Sequence, residues 1–312
     1  LNLSDFANAM KKKIKDSQLN SRIQNSNDQV KIKTPFIYLI LFVYTFIIYG
    51  NTLFNDYAQD DAIVITENVF TKQGFKGIPG LLKHDTFYGF FQKEGKDKLV
   101  SGGRYRPLSP ISFAVEYQFF GLNPMVSHFI NVLLYGLLGI VLFRFLLILF
   151  RDTFDLKARI LVAFFSALIF LSHPVHTEVV ANIKGRDEIF SMLFGISALL
   201  FSLKWILEKK MIYQASAVLL MLLALFSKEN AITLIAIVPL AAWLFFKNYR
   251  ISYVMLLMPY MISAFVFIAV RTSVLGWDFG GSGLELMNDP FIRFDGNRWI
   301  ELTFLERYST II

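Results

Sequence analysis

Two adjacent carboxylates, Asp60 and Asp61, stand just past the first apolar run, in Asn55-Asp56-Tyr57-Ala58-Gln59-Asp60-Asp61-Ala62-Ile63. Neighbouring carboxylates repel one another, which raises the proton affinity of at least one and moves it toward a general base. The same pair offers oxygen ligands to a divalent cation, and as a lone dipeptide it also fits a solvated turn. Arg104-Tyr105-Arg106-Pro107-Leu108 carries two guanidinium forks suited to bidentate capture of a phosphate, with snorkelling to lipid head groups as the equal alternative. In His173-Pro174-Val175-His176-Thr177-Glu178, Pro174 argues against the helix that a two-histidine zinc site requires. We therefore read Glu178 and a histidine as hydrogen-bonding groups of a cavity and assign no metal ligand. Lys184-Gly185-Arg186-Asp187-Glu188 reads as the cap of a following helix, or as an anion site at its N-terminus. Ser227-Lys228-Glu229-Asn230 reads as a tight turn with a local ion pair, or as a turn that sets Lys228 beside a phosphate.

These groups are held by apolar helices. Of the 312 residues 55% are hydrophobic, 33 are phenylalanine, and the mean hydropathy is +0.50. That composition excludes an ordinary soluble domain and indicates an all-α membrane protein, a polytopic helical bundle. Apolar blocks lie at 35–54, 126–150, 158–171, 188–207, 211–226, 231–246 and 252–270, about seven spans, some short enough to leave a re-entrant pair open. The first has the roughly 20 residues needed to cross about 30 Å of hydrocarbon and lacks the short core and cleavage site of a signal peptide. We divide the chain into a basic cytoplasmic tail at 1–34, a transmembrane domain at 35–270 with a long loop at 55–125, and an external segment at 271–312. The leucine at position 1 and the abrupt end at Ile312 lead us to expect a fragment of a longer protein.

Arg151, Lys157, Arg159, Lys204, Lys209, Lys210, Lys247 and Arg250 fall in short connections on one side, together with the lysine-rich tail. By the positive-inside rule that side is cytoplasmic, and the net charge of +7 serves orientation, not nucleic-acid binding. The other side then collects all four histidines with Asp60, Asp61, Asp85, Arg104, Arg106, Glu178, Arg186, Asp187, Lys228 and Glu229. The first loop is longer than a connector requires, and Gly77 to Lys83 and Leu108 to Phe120 read as interfacial helices within it. Gly280-Gly281-Ser282-Gly283 reads as a flexible turn, because no strand precedes it and no lysine follows. With no cysteine, neither a disulfide framework nor a thiolate site exists. The usage of phenylalanine, isoleucine, lysine and asparagine suggests an AT-rich bacterial genome and hence a bacterial cytoplasmic membrane, with the polar residues on its external face.

The order of these motifs resembles the membrane domain of the transmembrane and tetratricopeptide-repeat-containing proteins, polyprenyl-phosphate-dependent glycosyltransferases of the GT-C class similar to protein O-mannosyltransferases. The resemblance covers residues 36 to 290. It rests on Gln59-Asp60-Asp61 with Asn68, His84-Asp85, Tyr105-Arg106-Pro107-Leu108, Gly121-Leu122-Asn123-Pro124 with His128 and Asn131-Val132, His173 to Glu178, Gly185-Arg186-Asp187-Glu188, and Lys228-Glu229. It implies transfer of a sugar from a polyprenyl-phosphate donor to an acceptor hydroxyl, often a protein serine or threonine, on the external face. An acid of the first loop is then the catalytic base, Asp60 or Asp61 with Asp60 preferred. Arg104, Arg106 or Lys228 would stabilise the leaving phosphate, and His176 and Glu178 would orient the sugar or acceptor. His84, Asp85, His173, Arg186 and Glu229 complete the expected substrate site. The implied partners are the lipid-linked sugar, the acceptor and membrane lipid, with a divalent metal left open as cofactor. The family continues into further membrane helices and helical repeats, which this chain does not reach. A transporter or lipid flippase, and a non-catalytic scaffold, are the competing classes; few ionisable residues lie within the spans, where a transporter would place them.

Overall fold

The computed structural model describes residues 35–92, 104–277, 291–296, 299–303 and 306–307. The basic tail at 1–34 and the Gly280 to Gly283 turn lie outside them. The fold is all-α. Its long helices are α1 (Pro35–Phe54, ending in a 3-10 turn), α5 (Pro124–Leu149), α6 (Leu156–Ser172), α8 (Arg186–Glu208), α9 (Met211–Ser227), α10 (Leu234–Phe245) and α11 (Tyr253–Leu275). Short helices α2 (Ile78–Lys83), α3 (Tyr88–Phe91) and α4 (Leu108–Phe120) build the first loop, and α7 (Thr177–Ala181) precedes α8. Near the C-terminus β1 (Ile292–Phe294) and β2 (Trp299–Glu301) pair antiparallel, with Arg293 opposite Ile300.

Four helices, α1, α5, α11 and the segment Ile183–Glu208, are long and apolar enough to cross a bilayer. The α6 helix and Pro174–Ala181 together reach the same length and apolarity as a broken span or a re-entrant pair, bent by 51° where Pro174 cannot continue the backbone ladder of α6. The α9 and α10 helices are apolar but shorter. The chain is a multi-pass integral membrane protein. Bulky side chains such as Ile47, Phe165, Leu219, Val254 and Phe265 stand exposed around the bundle, as a hydrocarbon surround permits and water does not.

Inside, the bundle closes on Leu41, Phe143, Leu171, Leu203, Met221 and Tyr260. Gly139 lets α5 meet α6 closely; a Cβ there would lie 2.7 Å from a Leu171 methyl. Hydroxyls tie helices across the apolar interior: Ser202 Oγ meets Tyr260 Oη at 2.9 Å, and Ser263 Oγ donates to the Val218 carbonyl at 3.0 Å. At one end Lys209 Nζ donates to the Arg250 carbonyl and Phe150 packs on Phe245, so the α5–α6, α8–α9 and α10–α11 connections and their basic residues gather there. The α8 helix runs from that end, at Glu208, to Arg186 at the other, where the first loop sits. The boundary expected at 270 moves outward, because α11 continues to Leu275 before Gly276 ends it with a positive φ of 78°.

Candidate active-site cleft

A cleft opens at this second end, lined by Asp60, Ile63, Val64, Thr86, Phe87, Arg104, Arg106, Ser109, Lys184 and Asp187. Val64, in that lining, belongs to a small apolar cluster with Ile65, Phe113 and Ile183. The first loop reaches the cleft through an internal frame. Asn68 is fully buried; its Oδ1 accepts from the amides of Phe70 and Thr71 (both 3.1 Å) and its Nδ2 donates to the Ile63 carbonyl (3.0 Å). Across the loop, the Thr86 amide donates to the Arg104 carbonyl (2.8 Å), Thr86 Oγ1 accepts from the Arg106 amide (3.2 Å), and Tyr105 Oη donates to the Leu82 carbonyl (2.9 Å). That zipper fixes where both arginines leave the backbone.

The acid pair divides. Asp61 is 2% exposed, and its two oxygens accept backbone amides, Ala58 at 2.9 Å and Lys184 at 2.8 Å. It fastens the first loop to the segment before α8. Asp60 instead has a 55% exposed side chain in the cleft, 3.7 Å from Lys184 Nζ. The turn that throws the two apart is strained: Gln59 has φ of +47°, a left-handed conformation that non-glycine residues avoid and that concentrates at functional sites. Burial raises the Asp61 pKa, and the Asp60 charge adds to it, against the opposing pull of the two amides and Arg186. An acid that holds its proton more tightly folded than unfolded gives stability that is full at low pH and fades as pH climbs past its folded pKa. The thermal midpoint is expected to fall as pH rises from the ordinary value of 3.8, and Asp61→Asn should remove that slope in a melting series.

Arg106 departs from the sequence expectation. Its fork grips no open space: Nε and Nη2 donate to the two oxygens of Glu229 (2.8 and 2.7 Å) and Nη1 to Asp187 (3.0 Å). Burial lowers its proton affinity, but the two carboxylates outweigh that and raise its pKa. The local ion pair expected in the 227–230 turn is also corrected. Glu229 reaches back to the first loop, and Lys228 donates to Glu188 on α8, so neither pairs within the turn. Arg104 remains in the cleft with its guanidinium 5.6 Å from the centre of the Phe87 ring.

Arg186 is the largest surprise in the set. It is fully buried, and donates to Asn131 Oδ1 (2.7 Å), Ser112 Oγ (3.1 Å), the Ser127 carbonyl (2.9 Å) and Glu116, with its face 4.3 Å over the Phe113 ring. Glu116 in turn accepts from Ser127 Oγ at 2.7 Å. This network joins α4, α5 and α8 beneath the cleft, and the expected substrate contact at Arg186 is replaced by a structural one. Gly185, just before it, has no room for a side chain: a Cβ would lie 2.2 Å from the Val179 carbonyl oxygen. Gly185→Ala should cost about 1–3 kcal/mol of stability in a thermal or denaturant titration, because backbone must move to admit it.

Five other expected residues do not line the cleft. His84 packs in an aromatic cluster with Tyr88 (4.1 Å) and Phe70 (5.4 Å) with Nδ1 3.0 Å from the Gly80 carbonyl, and Asp85 accepts from the Phe87 amide at 2.7 Å. His176 packs on Phe170 (4.4 Å) and Tyr135, while His173 and Glu178 are exposed beside it. Glu178 and the histidines expected to line a cavity thus stand outside this cleft. No group of three or more His, Asp or Glu side chains able to hold a metal gathers among the described residues. Sequence reading missed Lys184, Thr86, Ser109 and Glu116 as parts of the site. Lys184 had a signal, since it stands in the same charged segment as Arg186, but nothing local showed which of those charges faces a cavity.

No protein-family model and no solved structure matches the chain. Among curated proteins, human Protein O-mannosyl-transferase TMTC1 is 33% identical over 152 residues, 49% of this chain and 16% of that protein. Mouse Protein O-mannosyl-transferase TMTC2 is 33% identical over 157 residues, 50% of this chain and 17% of that protein. In Caenorhabditis elegans, Protein O-mannosyl-transferase F38B6.6 is 26% identical over 220 residues, 69% of this chain and 29% of that protein. The resemblance read from the motifs is thus found again in these relatives. The chain spans less than a third of the length of each of these three.

Proposed function

We propose that the chain carries the catalytic end of a membrane glycosyltransferase that moves a sugar, mannose by analogy with the relatives' names, from a polyprenyl-phosphate carrier to a protein serine or threonine hydroxyl. The observation that carries the reading is the cleft itself: an exposed carboxylate, Asp60, shares its lining with the cationic side chains Arg104 and Lys184, the latter 3.7 Å away, next to a buried ionic frame. A carboxylate base and phosphate-binding cations within one opening are what this displacement needs. The acceptor oxygen bonds to the anomeric carbon as the carbon–oxygen bond to the phosphate breaks. The acceptor proton passes to Asp60, and the bonding pair leaves on the phosphate oxygen toward Arg104. Cations fixed before the reaction stabilise that developing charge without reorganising. The basic connections gather at the other end of the bundle, which by the positive-inside rule supports an external position for the cleft, in a bacterial setting at the outer face of the cytoplasmic membrane.

Incubation of the reconstituted chain with radiolabelled polyprenyl-phosphate mannose and a serine- and threonine-containing protein acceptor tests the proposal. Label in the acceptor is the expected result. Movement of the intact carrier between leaflets with no labelled product would replace it with a flippase.

A further inference from the structure

We propose that the ammonium of Lys184 holds the donor phosphate, leaving Asp60 for it as charge builds on the departing oxygen; this rests on the glycosyltransferase reading above. Lys184 has a fixed root and a free tip. Its amide donates to Asp61 Oδ1 (2.8 Å) and to Asn182 Oδ1 (3.1 Å). Ile183 before it is fully buried, and Asn131 Nδ2 donates to the carbonyls of Asn182 and Ile183 (3.2 and 3.1 Å). The side chain then projects into the cleft, where its one ionic partner among the described residues is Asp60.

That ion pair is easily exchanged. At 3.7 Å it is longer than a charge-assisted hydrogen bond, and both groups keep contact with solvent, the condition in which ion pairs contribute little. The neighbouring cations are committed: Arg106 is held by Glu229 and Asp187, and Lys228 by Glu188. Among the described residues, Arg104 and Lys184 are therefore the cations of the opening available to an anion. A sugar phosphodiester carries one negative charge and the released polyprenyl phosphate carries nearly two, so a cation that moves to it binds the product side more strongly than the reactant. The same movement releases the Asp60 carboxylate to receive the acceptor proton.

Binding of polyprenyl phosphate to the chain in lipid nanodiscs, with polyprenol as the uncharged control, tests this for Lys184→Met and Lys184→Arg. Lys184→Met should weaken polyprenyl phosphate about tenfold and leave polyprenol unchanged, with Lys184→Arg within about threefold of the parent. Unchanged affinity for the phosphate in Lys184→Met would overturn the assignment, as would an equal loss for polyprenol, which signals packing. A phosphate-specific loss accompanied by undiminished sugar transfer in Asp60→Asn would leave Lys184 as a phosphate ligand and remove Asp60 as the base.

Discussion

Asp60→Asn should lower sugar transfer by a factor of about 10² to 10⁴ while the protein stays as stable as its parent, and Asp61→Asn should lower both. The two substitutions are chemically identical and one residue apart, so the contrast isolates position. Asp60 has an exposed side chain, and its ion pair with Lys184 is solvent-screened, so little folding energy depends on its charge. The amide replacement keeps its volume but cannot accept a proton at useful pH. At Asp61 both oxygens accept backbone amides in a buried setting. An asparagine there points an N–H group at one of those donors, and the misplaced pair costs about 1–3 kcal/mol. The loss frees Lys184 from the first loop and so disturbs the cleft as well. Transfer assays combined with thermal unfolding decide the matter; full turnover in Asp60→Asn would end its role as base, and equal stability losses in the two variants would end the division of labour.

Removing the buried guanidinium should have the largest effect on stability. Arg186→Met leaves Glu116 charged in the interior, with Asn131 and Ser112 short of a partner, and breaking a buried pair in this way typically costs about 3–5 kcal/mol. The pair is not expected to be worth that amount itself. Desolvating two charges offsets much of their attraction, so Arg186→Met/Glu116→Leu, which removes both, should recover most of the loss. Denaturant titration of the parent, the single and the double variant measures the difference. If the double variant is no better than the single, the cost arises from lost packing over Phe113 and the ties to α5, and the unpaired carboxylate is not its source.

The relation between α4, α5 and α8 shows why the ionic frame was harder to read than the helices. Leu108 to Phe120 was expected as a helix and forms one over those bounds, since Pro110 falls in the first turn, where its missing N–H has no helical partner to lose, and Pro107 and Gly121 flank the run. Nothing in that run marks Glu116 as buried; exposure and burial of a single acid on an apolar helix give the same local pattern. Likewise the fork of Arg106 suits a phosphate and a carboxylate equally, because both present two oxygens at matching spacing. Which anion it meets depends on Glu229, 123 residues later in the chain.

Local sequence determined the helices, the membrane class and the gathering of charge at one end, because apolar run length and flanking basic residues act over one turn or one span. Tertiary structure alone decided the roles within the acid pair and among the arginines. Asp61 became a tether and Asp60 an exposed carboxylate, Arg106 and Arg186 became frame, and Lys184 entered the cleft, since each outcome turns on whether a partner arrives from a distant segment to compensate a charge taken out of water.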